Sequence, residues 1–285
     1  MLKRQSESSI LIVGAVKNIS ATLEKDLNRL DRALINFKKV SYFLVESNSS
    51  DNSDRTLDKI RKKRPDFDFV ELHATESVSC SRTEKLAKAR NRYLEYLDDL
   101  SSSQKPDFVA VVDFNDLNKK LSPESIQSCW EKSDWDVCTA NQNGHYYDIW
   151  ALRHKYWSPN DCWAQFNFLL SLGVRKDKAY ASSINARMIR IPMDSAWIEV
   201  DSAFGGMAIY RAETLKSARY VGSTDSGEMI CEHVALHSKI RGQGFKIFIN
   251  PSFINFAYTD HSKNARIWNR FGRFSKNLAL SKIRK

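Results

Sequence analysis

Apolar positions in the first 140 residues fall into short runs that alternate with stretches of helical spacing. Ser9 to Val16 is a short apolar run, Ala21 to Phe37 carries leucines and alanines at helical intervals, and Val40 to Val45 is again apolar. Asp54 to Lys63 reads as a helix stopped by Pro65, Phe67 to Leu72 as a strand, Thr83 to Leu100 as a helix, and Phe108 to Val112 as a strand ending at Asp113. Such alternation predicts an α/β fold, a mostly parallel sheet covered by helices on both faces with right-handed crossovers. Ligands of such sheets bind beyond the carboxyl ends of the strands, where this chain places Glu46-Ser47-Asn48-Ser49-Ser50-Asp51 and Asp113-Phe114-Asn115-Asp116.

The second half is less regular. It holds a Trp/Tyr-rich stretch from Tyr146 to Trp163, a strand pair around Arg187 to Ile191 and Trp197 to Asp201, and a Gly205-Gly206 turn into Met207 to Tyr210. A helix near Glu228 to Ile240 and a strand from Phe245 to Ile249, closed by Pro251, complete it. No repeat or long linker interrupts the pattern. The expected organisation is one domain over 1–262, a nucleotide-binding half (1–140) and an acceptor-side half (141–262), followed by a tail.

Charge sharpens the picture of that tail. The 285 residues carry a net charge of +10, of which Lys263, Arg266, Arg270, Arg273, Lys276, Lys282, Arg284 and Lys285 supply eight without one acidic residue among them. The rest of the chain is nearly neutral, so no basic field suited to nucleic acid extends over it. Ile267, Phe271, Phe274 and Leu278 share one helical face beside Trp268, the pattern of a basic amphipathic helix. Such a segment suits an anionic membrane surface, or docks its apolar stripe on the protein's own core. Five widely spaced cysteines without a C-x-x-C pair fit reduced thiols rather than a disulfide framework. No apolar run near the N-terminus approaches the ~20 residues of a membrane span. The expectation is a cytoplasmic protein, peripheral at the membrane if the tail binds there.

Asp113, Asn115 and Asp116 put hard oxygen ligands on a turn directly after a strand, the chemistry by which Mg²⁺ or Mn²⁺ bridges two phosphates. His233 and His237 stand four apart beside Glu232, in an order that does not match a zinc hydrolase. Asp201, before the two glycines, suits recognition of sugar hydroxyls, since a carboxylate accepts two such bonds.

Val45-Glu46-Ser47-Asn48-Ser49-Ser50-Asp51-Asn52-Ser53 resembles the V-D-D-G-S-T-D-G-T stretch of nucleotide-sugar glycosyltransferases of the GT-A fold. Cys231-Glu232-His233-Val234-Ala235-Leu236 and Gly244-Phe245-Lys246-Ile247-Phe248-Ile249-Asn250-Pro251 resemble their E-D-x-x-L helix and G-[YF]-x-I-x-x-x-P strand. In layout the chain is most similar to the fungal capsule-associated α-mannosyltransferase family. That likeness rests on Leu86-Ala87-Lys88-Ala89-Arg90-Asn91-Arg92-Tyr93-Leu94, Asn115-Asp116, Tyr147-Asp148-Ile149-Trp150-Ala151-Leu152-Arg153 and Gly206-Met207-Ala208-Ile209-Tyr210.

The resemblance implies a GT-A-type, Rossmann-like sheet and transfer of a sugar from a nucleotide-diphosphate donor, GDP-mannose or a UDP-sugar, to a glycan or lipid-linked glycan acceptor. It places Glu46 and Asn48 at the base and ribose, and Arg90, with Arg82 a weaker candidate, at the donor phosphates. Asp116 with Asp113 and a late imidazole, His261, would hold Mn²⁺ or Mg²⁺, with Asn115 beside them. Glu232 would lie nearest the acceptor. In inverting relatives the residue after that Glu takes the acceptor proton; here it is His233. Either Glu232 or His233 is then the base of an inverting enzyme, or configuration is retained and no separate base is needed. A sugar nucleotidyltransferase and a catalytically silent sugar-binding or membrane-adaptor relative are the competing readings.

Overall fold

The computed structural model describes residues 2–72 and 81–257. The first half follows the sequence pattern closely: β1 (Ser9–Val16), α1 (Leu23–Ala33), β2 (Lys39–Ser47), α2 (Ser53–Lys63), β3 (Phe67–Leu72), α3 (Arg82–Asp99) and β4 (Phe108–Val112). Strands β1 to β4 pair in parallel in the order β3-β2-β1-β4. Alternate residues of β1 enter different cores, as a period of two requires. Leu11 and Val13 pack with Ala87, Tyr93 and Leu94 of α3, whereas Ile10 and Ile12 pack with Leu23, Leu27 and Leu30 of α1 and Leu57 and Ile60 of α2.

The remaining elements are α4 (Pro123–Gln127), β5 (Val137–Gln142), α5 (Cys162–Ser171), α6 (Lys176–Ser183), β6 (Ile198–Val200), β7 (Met207–Arg211), α7 (Glu232–Gly242) and β8 (Ile247–Phe256). They extend the same sheet to eight strands in the order β3-β2-β1-β4-β7-β5-β8-β6. β7 lies antiparallel between β4 and β5, β5 and β8 are parallel, and β6 is an antiparallel edge. α7 covers the same face as α3, contributing Leu236 and Ile240 to that core.

Three details depart from the sequence pattern. Residues 187–191 form no strand: a 3₁₀ turn covers Asn185–Arg187, and only Arg190 makes a β-bridge, to His145. The cause is Arg187, whose buried guanidinium donates to Ser158 Oγ (2.8 Å), the Asn160 carbonyl (2.7 Å) and the side chains of Asn160 and Gln165, holding the segment as a turn. Pro251 does not end β8, because the register against β5 shifts between Thr139 and Asn141 and a residue lacking N–H loses no ladder bond there. Finally, the Trp-rich stretch ends in the helical hairpin α5–α6, started by Asp161, whose Oδ1 accepts from the backbone N–H of Trp163 (2.8 Å) and Ala164 (3.1 Å).

One close approach fixes how α3 sits. The Thr83 hydroxyl donates to the Gly222 carbonyl at 2.6 Å, and a Cβ on Gly222 would lie 2.3 Å from the Thr83 carbonyl carbon and 2.4 Å from the Glu84 nitrogen. Backbone cannot yield as a side-chain tip would. Gly222→Ala should therefore destabilise the protein by about 1–3 kcal/mol, read as a lower urea midpoint.

His237 on α7 is fully buried, with Nδ1 2.9 Å from Ser202 Oγ and Nε2 2.8 Å from the Tyr210 hydroxyl. Burial, then the nearby Arg90 charge, push its imidazole down to about 3. An unfolded histidine titrates near ~6.5, so between these values the unfolded chain holds the extra proton and stability falls as pH drops. His237→Gln should remove a slope approaching ~1.4 kcal/mol per pH unit, measured as the difference between wild-type and variant urea stabilities at pH 4 and 6.

Candidate active site

The loops after β1 and β2 are stapled together at the carboxyl edge of the sheet. Asn18 (φ 53°) donates its backbone N–H to Ser49 Oγ at 2.8 Å and accepts from the Ser50 N–H through Oδ1 at 2.8 Å. Asp51 accepts from the Ser20 hydroxyl (2.7 Å) and the Ser53 hydroxyl (2.5 Å), and these bonds hold its carboxyl down to about 2. Glu46 is buried and accepts from the Ser49 N–H at 2.6 Å, so its carboxylate shapes this loop, whereas Asn48 (φ 50°) is exposed on the lip.

The turn after β4 is built against α1. Asn115 (φ 75°) and Asp116 (φ 63°) both occupy the left-handed region, which costs a non-glycine residue roughly 1–2 kcal/mol each. Asp26 compensates: its Oδ2 accepts from both backbone N–H groups at 3.0 Å, while Arg29 bridges Asp26 Oδ1 (3.0 Å) and Asp116 Oδ1 (3.1 Å). Lys119 takes the other Asp116 oxygen at 2.5 Å. Burial pushes the Asp26 carboxyl up, against the bonds from Asp116, Arg29 and Asn115. The reading of the sequence did not include Asp26 or Arg29. Their signal was a carboxylate on the stripe Leu23, Asp26, Leu27, Leu30, which otherwise faces the core.

On the opposite face a buried guanidinium gathers the remaining acids. Arg90 of α3 meets Nε2 of His233, donates to Asp113 Oδ1 at 3.2 Å and holds Nε 3.5 Å from Glu232 Oε1, with the rings of Phe204 and Tyr220 5.3 and 5.6 Å from its Cζ. Glu232 and His233 reach it because Cys231 leads directly into α7. His233 stacks on Phe204 with ring centroids 3.9 Å apart; burial, Arg90 and His237 push its imidazole far down, so it is neutral and presents Nε2 as the acceptor for Arg90. Arg90 thus directs its two Nη groups to His233 and Asp113 and draws in Glu232 through Nε.

Asp148 completes the cluster. Its Oδ2 accepts from the Gly205 N–H at 3.0 Å, and the Gly206 carbonyl accepts from the Asp113 N–H at 2.9 Å, so the two glycines link both acids. Gly205 (φ 71°) and Gly206 (φ 85°) need the left-handed region, and a Cβ on Gly205 would meet the Ala140 carbonyl at 2.5 Å. Burial, together with the charges of Asp113 and Glu232, pushes the Asp148 carboxyl up to about 6 despite the Gly205 bond. Asp113 is pushed up by burial and by Glu232, against Arg90, though a third of its side chain stays accessible. Asp148 was visible in the sequence only as part of a Tyr-Asp motif.

The other candidates lie apart. Asp201 is exposed and faces Arg241 Nε at 3.7 Å, and Arg82 is exposed at the start of α3. His261 and the basic tail lie outside the described residues. Asp113 and Asp116 are held by different cations, on α3 and on α1, and both oxygens of Asp116 are engaged. Among the described residues no three His, Cys, Asp or Glu side chains converge on a metal position, and the imidazole that the resemblance adds to the ligand set, His261, is not one of them. Asp26→Ala, which strips the acceptor from two strained N–H groups, should lower stability by about 2–3 kcal/mol in urea unfolding, and Asp26→Asn, which keeps a carbonyl oxygen there, should lose less.

Comparison with known proteins agrees with this architecture. The fold matches a mannosyltransferase from Pyrobaculum calidifontis, solved with GDP-Man and Mn²⁺, at a TM-score of 0.50 and 13% identity, covering 90% of this chain and 59% of that one. TarS from S. aureus in complex with UDP-GlcNAc aligns at 0.49 and 15% identity, over 90% of this chain and 60% of that one. Glucosyl-3-phosphoglycerate synthase from Mycobacterium tuberculosis aligns at 0.42 and 12%, over 88% and 69%. The chain therefore spans about 60% of the length of the first two. No curated protein matches it by sequence. The sheet is of the GT-A type, and residues 16–237 match the family described as Cryptococcal mannosyltransferase 1, to which this chain belongs.

Proposed function

We propose that the protein is a glycosyltransferase that moves a hexosyl group, mannosyl by its family, from a nucleoside-diphosphate sugar to a hydroxyl of a glycan or lipid-linked glycan in cell-surface polysaccharide assembly. The observation that carries the reading is the gathering of Asp113, Glu232 and Asp148 beyond the carboxyl ends of the strands, the first two paired with Arg90 and the third close enough to feel both of their charges. The stapled loops after β1 and β2 offer backbone and hydroxyl groups to a base and ribose, and Asp113, at the end of β4, lies between that edge and the acids.

A hydroxyl attacks only as its proton leaves, and a carboxylate with a pKa near 6 is matched to take it close to neutral pH. Asp148 has that property, whereas His233 is engaged through Nε2 with Arg90. Glu232 and Asp148 are therefore the residues assigned to the acceptor side, with Arg90 positioning Glu232 and the Gly205 N–H positioning Asp148. Mn²⁺ or Mg²⁺, when bound, would withdraw charge from the leaving diphosphate. Asp116 is the residue proposed to respond to it, with His261 as its partner.

Calorimetric titration with UDP, GDP and CDP, with and without Mn²⁺, tests the donor assignment: one nucleotide class should bind, and folded protein that binds none would overturn it. Asp116→Ala should weaken any metal-dependent part of that binding. Transfer should rise with pH through about 6 as Asp148 ionises, and Asp148→Asn should lower kcat at least about 10²-fold and erase that limb. Arg90→Lys cannot reproduce the fork that reaches both Asp113 and Glu232 and should lower kcat/KM by a similar factor.

A further inference from the structure

One feature that the active site does not absorb is the exposed surface of the α5–α6 hairpin. Ten large apolar side chains are exposed among the described residues, and five of them, Tyr156, Trp163, Phe168, Leu170 and Leu172, fall within 17 residues. Phe168 and Leu172 are 60% and 64% exposed, against 8% for Phe166 on the inner side of the same helix. A soluble surface rarely concentrates aromatic and leucine side chains in this way without a partner.

The shape and charge of the hairpin name that partner. α5 ends in a tight turn where Gly173 (φ 79°) donates its N–H to the Leu170 carbonyl at 2.9 Å and Val174 donates to that of Leu169 at 3.0 Å, so the chain reverses with Leu172 at the tip. Arg175, Lys176 and Lys178 follow immediately, all exposed, and Lys155 lies beside Tyr156 with Nζ 5.1 Å from its ring. The acids are few: Asp177 pairs with Arg175 at 2.5 Å, and Asp161 is taken by Arg153 at 2.7 Å. We infer that the α5–α6 hairpin docks on an anionic lipid bilayer, with Phe168 and Leu172, which share one face of α5, entering the interface and Lys155, Arg175, Lys176 and Lys178 facing the headgroups.

A second copy of the chain fits this face less well, because a two-fold contact would set like-charged Arg175, Lys176 and Lys178 of both copies together. The basic segment 263–285 has the same sign and is disfavoured as an occupant for the same reason. No described helix is long and apolar enough to cross a membrane, so contact through this hairpin would be interfacial. The hairpin is also tied to the acid cluster. Asp161, its N-cap, accepts from Trp150 Nε1 at 2.9 Å and from Arg153, both within five residues of Asp148. A bilayer under the hairpin would therefore lie at a fixed offset from the acceptor side, as an acceptor on a lipid requires.

The test is sedimentation of the full chain with vesicles of phosphatidylcholine alone or with 30% phosphatidylserine (on the order of the anionic content that gives a substantial surface potential), comparing wild type with Phe168→Glu/Leu172→Glu and with Lys176→Glu/Lys178→Glu. Wild type should partition onto the anionic vesicles, and each double variant should bind at least about tenfold more weakly with an unchanged urea midpoint. Wild type that does not partition would overturn the inference, as would binding indifferent to all of these substitutions, which would assign it to 263–285. A concentration-dependent dimer that Phe168→Glu/Leu172→Glu makes monomeric would also overturn it, giving the face to a second copy. Transfer to a soluble acceptor should be the same in wild type and in these variants, so membrane docking and glycosyl transfer succeed or fail independently.

Discussion

The structure turns on the burial of one charge. Arg90 is 6% exposed, and withdrawing a guanidinium from water costs several kcal/mol unless its donors are met. Two of its nitrogens are met by groups from two distant parts of the chain, Asp113 at the end of β4 and His233 at the start of α7, while Nε lies 3.5 Å from Glu232 without a hydrogen bond and the rings of Phe204 and Tyr220 lie 5.3 and 5.6 Å away. Meeting them fixes α7 against α3 and brings together carboxylates that would otherwise repel. Burial first, and then what remains of that repulsion, push the carboxyls of Asp113 and Asp148 up. The interaction that ties α3 to the start of α7 thus also gathers the acids of the site.

A second constraint acts on the opposite face. Two successive left-handed residues, Asn115 and Asp116, persist because a buried carboxylate on α1 accepts from both of their N–H groups. Strain of this kind survives only where surroundings over-determine it, and the α1 interaction, the Asp113–Gly206 backbone bond and the Asn118 bond to the Asp113 carbonyl at 2.7 Å do so here. The β4 turn is therefore held from both faces, with Asp113 and Asp116 turned toward different cations.

Much of the fold was legible in the chain. β1, β3 and β4 have the bounds their apolar runs suggest, and α1, α2 and α3 lie within or next to the segments with helical spacing. These elements bury one stripe or two faces, and a repeat of 3.6 or 2 records that directly. β5 left no such trace. Its six residues are all buried, yet they include Asn141 and Gln142, whose amides donate to the carbonyls of Ile191, Pro251 and Gly205. A polar residue satisfied by remote backbone reads as loop until its partners are known.

The site divides in the same way. The sequence by itself determined the α/β class, the position of the acids after β2 and β4, the Arg90 and Glu232-His233 motifs and the concentration of positive charge in 263–285, because each is a local pattern of residue types and spacing. Only the tertiary structure decided that Arg90 serves Asp113, Glu232 and His233, that Asp148 joins them, that Asp116 is held by Arg29 and Lys119, and that Asp201 stands on the surface with Arg241. The physical reason is that an ionisable group takes its role from which charges and N–H groups face it, and most of those partners, Lys119 excepted, lie tens to more than a hundred residues away in the chain.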